Sequence, residues 1–145
     1  MWIGPLIALA LAHPVPFRTV AAGSGEASAY RTPSTLVVKD ARRWKAVWGK
    51  LEPGRKLPKA DFARHMLLVV TQGERRSGGY SIDVTKIGDS GRALSVAADS
   101  NAPGAGCITP SVITAPYEVV RVRRLDRAAR THRTAKVTDC DHQAP

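Results

Sequence analysis

Few residues in this chain have the types and spacing that chemistry requires. Ser77 and Ser81 could supply hydroxyl nucleophiles, yet neither lies in a G-x-S-x-G context. His13, His65, His132 and His142 are scattered, and no nucleophile is paired with an evident base and an acid to orient it. No catalytic residue is assigned, and a non-enzyme is expected. His132, Asp139 and His142 lie near Cys140, but no C-x-x-C or H-x-x-x-H pair completes a four-ligand metal set. Neither a metal nor a cofactor is expected. Gly78 and Gly79, with Arg75, Arg76 and Ser77 beside them, could turn backbone N–H groups toward an anion. The run GERRSGGY lacks the Lys-Ser or Lys-Thr pair of a phosphate loop. Its glycines read first as a tight turn before a strand, with at least one at positive φ.

Redox chemistry is the exception. The chain holds two cysteines, Cys107 and Cys140. Two cysteines in an exported chain favour one disulfide. Closing a loop of this length contributes about 3–4 kcal/mol on the chain-entropy model. Export is read from Met1 to Ala12, MWIGPLIALALA, an uncharged apolar run ending in a small-x-small pattern. Such a run fits a signal-peptide core cut after Ala12 and falls short of the roughly 20 residues that span a bilayer. The expected organisation is a signal segment over residues 1–12 and a single domain over 13–145. The expected location is secreted or periplasmic, with no transmembrane span.

Composition bounds the partners. Of 145 residues, 43% are hydrophobic and 23% charged, which allows a packed core and argues against wholesale disorder. The net charge of +10 raises the local concentration of polyanions. The densest basic stretch runs from Arg121 to Lys136 and carries no aromatic residue for base stacking. It reads as a solvated strand edge and loop, and nucleic acid is disfavoured as a partner.

The elements that position these groups follow from periodicity. Trp44, Val47, Trp48 and Leu51 fall at i, i+3, i+4 and i+7, one stripe of an amphipathic helix. Asp40 is its N-cap, and Pro53-Gly54 ends it. Phe17–Ala22 and Thr35–Lys39 read as strands. Met66–Thr71 is apolar on both faces and reads as a central strand. Tyr80–Ile87 alternates, with Tyr80, Ile82 and Val84 on one face. After a turn at Gly88–Gly91, Leu94, Val96 and Ala98 alternate again as the second arm of a hairpin. Asp99–Gly106 reads as a loop, Tyr117–Val122 as a strand, and Ala135–Thr138 as a short last strand. The fold class is α+β, a mainly antiparallel sheet with one amphipathic helix packed on it.

Several segments, taken in order, carry a family likeness. They are Trp44 and Trp48 in RRWKAVW, Asp61-Phe62 followed by MLLVV, and Gly73. Ser77-Gly78-Gly79-Tyr80-Ser81-Ile82 and Thr114-Ala115-Pro116-Tyr117-Glu118-Val119-Val120 complete the set. From about residue 17 to about residue 140 the chain resembles the PrcB C-terminal domain family. The resemblance implies a subunit that associates with and stabilises a secreted protease complex. The expected role is an exported, non-catalytic interaction module whose partner is another exported protein. Its candidate surface comprises Arg75, Arg76, Gly78, Gly79, Tyr80, Thr114, Pro116 and Tyr117. The rival is a cell-envelope domain that binds polyanions through its Arg-rich surface.

Overall fold

The computed structural model describes residues 12–140, so the expected signal segment lies outside the described residues apart from Ala12, as does His142. Among the described residues the chain forms eight strands and one helix. They are β1 (His13–Pro14), β2 (Arg18–Gly23), β3 (Ser34–Val38), α1 (Ala41–Leu51), β4 (His65–Thr71), β5 (Ser81–Asp89), β6 (Ala93–Pro103), β7 (Tyr117–Arg123) and β8 (Ala128–Thr138). No helix among them is long and apolar enough to cross a membrane.

The strands make two four-stranded sheets, one ordered β2-β7-β4-β3 and the other β1-β5-β6-β8. Every pairing is antiparallel except β6 with β8. The β2-β7-β4-β3 sheet is central. On one side it packs against the second sheet through Met66, Leu68, Val70, Val120 and Val122, which meet Ile82, Ile87, Leu94 and Val96. On the other it meets α1 through Leu67, Val69, Tyr117 and Val119. This two-sided burial is why β4 reads as an unbroken apolar run.

Helix α1 begins where the Asp40 side chain accepts the Arg43 N–H at 2.8 Å. Its buried stripe is Trp44, Val47, Trp48 and Leu51. Each such side chain contributes about 1.5–3 kcal/mol by leaving water. The Trp44 indole N–H donates to Pro58 O at 2.9 Å, and that of Trp48 to Arg55 O at 3.2 Å. The rings therefore hold the loop after the helix as well as the sheet beneath it.

Two expectations are corrected. Asp99–Pro103, read as loop, continues β6, and the last strand begins at Ala128, well before Ala135. The two extensions form together, because β6 and β8 pair in register from Ala93↔Ala128 to Pro103↔Thr138. Pairing supplies what the low β-propensity of Asp, Ser, Asn and Pro does not. Lys136 bridges to Asp99 at 2.9 Å across this ladder. Cys107 and Cys140 close its far end in a disulfide with Cα atoms 4.9 Å apart. The expected bridge is therefore present.

Candidate functional site: the paired loops beside the disulfide

Two connections carry the sequence landmarks, residues 72–80 between β4 and β5 and residues 104–116 between β6 and β7. The structure stitches them together. Arg75 and Thr114 form an isolated antiparallel bridge, with N–H···O distances of 2.7 and 2.9 Å. The Thr114 hydroxyl donates to Ser77 O at 2.9 Å, and Gly78 N–H donates to Pro110 O at 2.9 Å. Gly79 has φ +90°, and a Cβ there would stand 2.8 Å from the Thr109 methyl. The positive φ expected in this pair therefore falls on Gly79, where a side chain would be both strained and crowded.

This stitching divides the expected surface. Thr114, Pro116 and Tyr117 are buried, so the expectation that they offer a contact surface is corrected: they are the seam and the core. Tyr117 packs edge-on against Trp48, with ring centroids 6.2 Å apart, and its hydroxyl donates to Glu52 Oε1 at 2.9 Å. Burial pushes its pKa well above the ordinary 10.0, and the Glu52 carboxylate adds to the shift. Gly78 is also buried, whereas Arg76 and Gly79 are exposed. Arg75 and Tyr80 are half-buried, and the guanidinium lies 5.5 Å from the ring centroid. Arg75 Nε is buried with no hydrogen-bond partner among the described residues.

The second loop adds features that motif reading missed. Ile108 is fully exposed at 102%, and Ile113 is exposed at 54%. A hollow of about 420 Å³ opens beside Ile108, with Asp83 and Asn101 lining it along with Thr109 and the disulfide. Asn101 donates to Asp83 at 2.7 Å and to Ser81 at 3.0 Å, so its polar side is internally bonded. The signal for the isoleucines was available: two apolar side chains stand in a Pro- and Gly-bearing segment with no strand to bury them.

Three polar residues proved structural. Glu118 projects between the sheets, accepting from the Thr19 hydroxyl at 2.6 Å and from Val84 N–H at 2.5 Å. Buried Gln72 donates to Ser100 Oγ at 2.8 Å and Asn101 O at 3.1 Å. Arg133 donates to Ser34 O and Thr71 O, each at 3.1 Å, which ties β8 to the central sheet. Glu118 and Arg133 lie on strands and Gln72 directly follows β4, and each polar side chain there marks a cross-link between elements.

The basic stretch from Arg121 onward becomes the end of β7, a turn and the edge strand β8. Much of it is bound into the fold. Arg124 donates to Lys39 O at 2.7 Å and Phe62 O at 2.9 Å, and Arg127 pairs with Asp89 at 3.1 Å.

No curated protein matches this chain, and no solved structure matches it. Residues 66–123, from the second residue of β4 to the end of β7 and including both paired loops, match the PrcB C-terminal family model.

Proposed function

We propose that this protein is an exported, non-catalytic interaction module that binds or stabilises another exported protein, with a secreted protease complex as its setting. The reading is carried by one observation. The family match spans both loops, and the second of them holds Ile108 and Ile113 out to water. Exposed apolar side chains on a pinned backbone suit association, because little conformational entropy remains to be lost.

The test is co-purification of a tagged mature chain from culture supernatant or periplasm, with mass spectrometry of what is retained. A secreted protease or its subunit should be captured, and Ile108→Asp with Arg76→Glu should abolish capture while the melting temperature holds. Capture that survives both changes would remove this surface. Capture that instead falls steeply with added salt would favour the polyanion-binding rival.

A further inference from the structure

Helix α1 covers only part of its face of the central sheet. At the far end of that face stand Arg18 of β2, Arg121 and Arg123 of β7, and His65 of β4. Register makes Arg18 the direct neighbour of Arg121, and His65 the direct neighbour of Arg123. Arg121 and Arg123 are two residues apart on one strand and so share a face. The four side chains line one hollow of about 260 Å³, with Pro16 and Phe17 also on its wall.

Like charges placed directly opposite on a sheet are destabilising. Among the described residues, unpartnered arginines also occur singly on the surface, as at Arg42, Arg76 and Arg92, but several arginines packed against other groups have partners. Arg31 has Glu74, Arg55 has Glu52, Arg127 has Asp89, and Arg124 and Arg133 each have two carbonyls. Here, among the described residues, no carboxylate lies within 4.0 Å of Arg18, Arg121 or Arg123, and none of the three makes a side-chain hydrogen bond. Arg123 acts on Asp89 through space, but the Asp89 carboxylate already accepts from Gly91 N–H and Arg127. Asp61 lines the neighbouring hollow with Lys59 and Arg121, and it accepts from Ala63 N–H instead. His65 Nδ1 is buried with no partner among the described residues.

We infer that this helix-free end of the sheet is a binding site for an oxyanion, a carboxylate or phosphate group held by Arg18, Arg121 and Arg123. Guanidinium forks match the paired oxygens of such groups, and half-buried Arg121 sits between exposed Arg18 and Arg123 to receive them. Bound anion relieves the cross-strand repulsion, so binding and stability are coupled. An extended nucleic acid would need a longer track with stacking rings.

The experiment titrates the mature chain at constant ionic strength, with chloride as the balancing ion. The probes are inorganic phosphate and an acetylated triglutamate peptide, followed by calorimetry and thermal melting. The expected result is saturable binding of at least one probe with a rise in melting temperature. Arg18→Gln and Arg121→Gln should each weaken that binding by roughly tenfold or more. Arg130→Gln, on the exposed edge strand, should leave it unchanged. Phosphate binding alone would mark a phosphate ligand, and peptide binding alone would mark a carboxylate of a protein. Both support the site. No saturable binding, or equal responses in wild type and the Arg121→Gln variant, would overturn it. Equal weakening by Arg130→Gln would also overturn it, because that result describes diffuse charge. Melting each variant without anion separates lost folding from lost binding. The capture assay with Ile108→Asp reports on the other surface, so either proposal can fail alone.

Discussion

One face of the central sheet shows two solutions to the same geometry. Along β7, Tyr117, Val119, Arg121 and Arg123 all point to the helix side. The first two are buried under α1, Arg121 is half-buried, and Arg123 is exposed. The same change occurs on β4, where Val69 and Leu67 are buried and His65 begins to open to solvent. Between β4 and β7 the register is continuous across the boundary, while on the other side of β7 a shift in β2 between Thr19 and Ala21 falls opposite it. The larger change is the cover. Trp44 and Trp48, 5.5 Å apart between ring centroids, supply a dry lid for one half, whereas the other has only residues 59–61 beside Leu67 and Arg121 across an open hollow. An identical strand position is therefore worth opposite things a few ångströms apart, and substitution across the boundary measures where the lid ends.

The largest effect should come from moving the basic half into the dry one. Val119 has no exposed surface. Val119→Arg would bury an unpaired guanidinium and should destabilise by on the order of 5 kcal/mol, enough to leave much of the chain unfolded in urea titrations. Mild destabilisation would mean that α1 swings aside and that the boundary is soft.

Removing the lid's main anchor comes next. Trp44 is 1% exposed, and its ring holds both the sheet contact and the bond to Pro58 O. Trp44→Ala should cost about 3–5 kcal/mol by chemical denaturation, chiefly through the cavity left behind. A loss below about 1 kcal/mol would show that Trp48 and Leu51 alone seat the helix.

A milder probe uses Tyr117 at the deep end of the dry half. Burial and Glu52 hold its hydroxyl neutral far above the ordinary pKa of 10.0. The unfolded tyrosine ionises near that ordinary value and the folded one does not. The Tyr117 contribution is therefore complete below about pH 10 and is lost as pH rises beyond it. Tyr117→Phe should cost about 1 kcal/mol at neutral pH, the worth of one hydrogen bond. It should also flatten the alkaline limb of the stability curve. An unchanged alkaline limb would mean that other groups govern it.

How far the sequence reaches can be judged from the same elements. The stripe Trp44–Val47–Trp48–Leu51 and its cap at Asp40 are local, and they lie where periodicity puts them. The apolar run of β4 and the β5–β6 hairpin are legible for the same reason. The parallel β6–β8 ladder is not, because Asp99–Pro103 has poor strand propensity and gains its order from a partner that is not its sequence neighbour. The site followed suit. GGYS could be read as a turn from its glycines alone, but the burial of Thr114 and Pro116 required knowing that the two loops face each other. The Arg18–Arg121 pair is invisible to any window, since only the β2–β7 register brings it together.

The smallest effect carries the opposite sign and bears most directly on the comparison. At an ordinary sheet position, replacing a residue that contacts its neighbours destabilises. Arg121 differs, because its direct neighbour across β2 is Arg18 and, among the described residues, no carboxylate is within ion-pair distance of either. Arg121→Val removes one member of a like-charged pair and adds a β-branched side chain beside Leu67, its partner on β4. Both changes favour the fold, so in low-salt chloride buffer the variant should gain about 0.2–1 kcal/mol over wild type. The gain should shrink as salt screens the repulsion that the wild type still carries. Phosphate at fixed ionic strength should narrow the gap further by stabilising the wild type alone. Arg121→Val melting below wild type in chloride would mean that the arginine's aliphatic stem seals the edge of the dry half. The boundary would then lie one residue farther along β7 than the burial of Val119 places it.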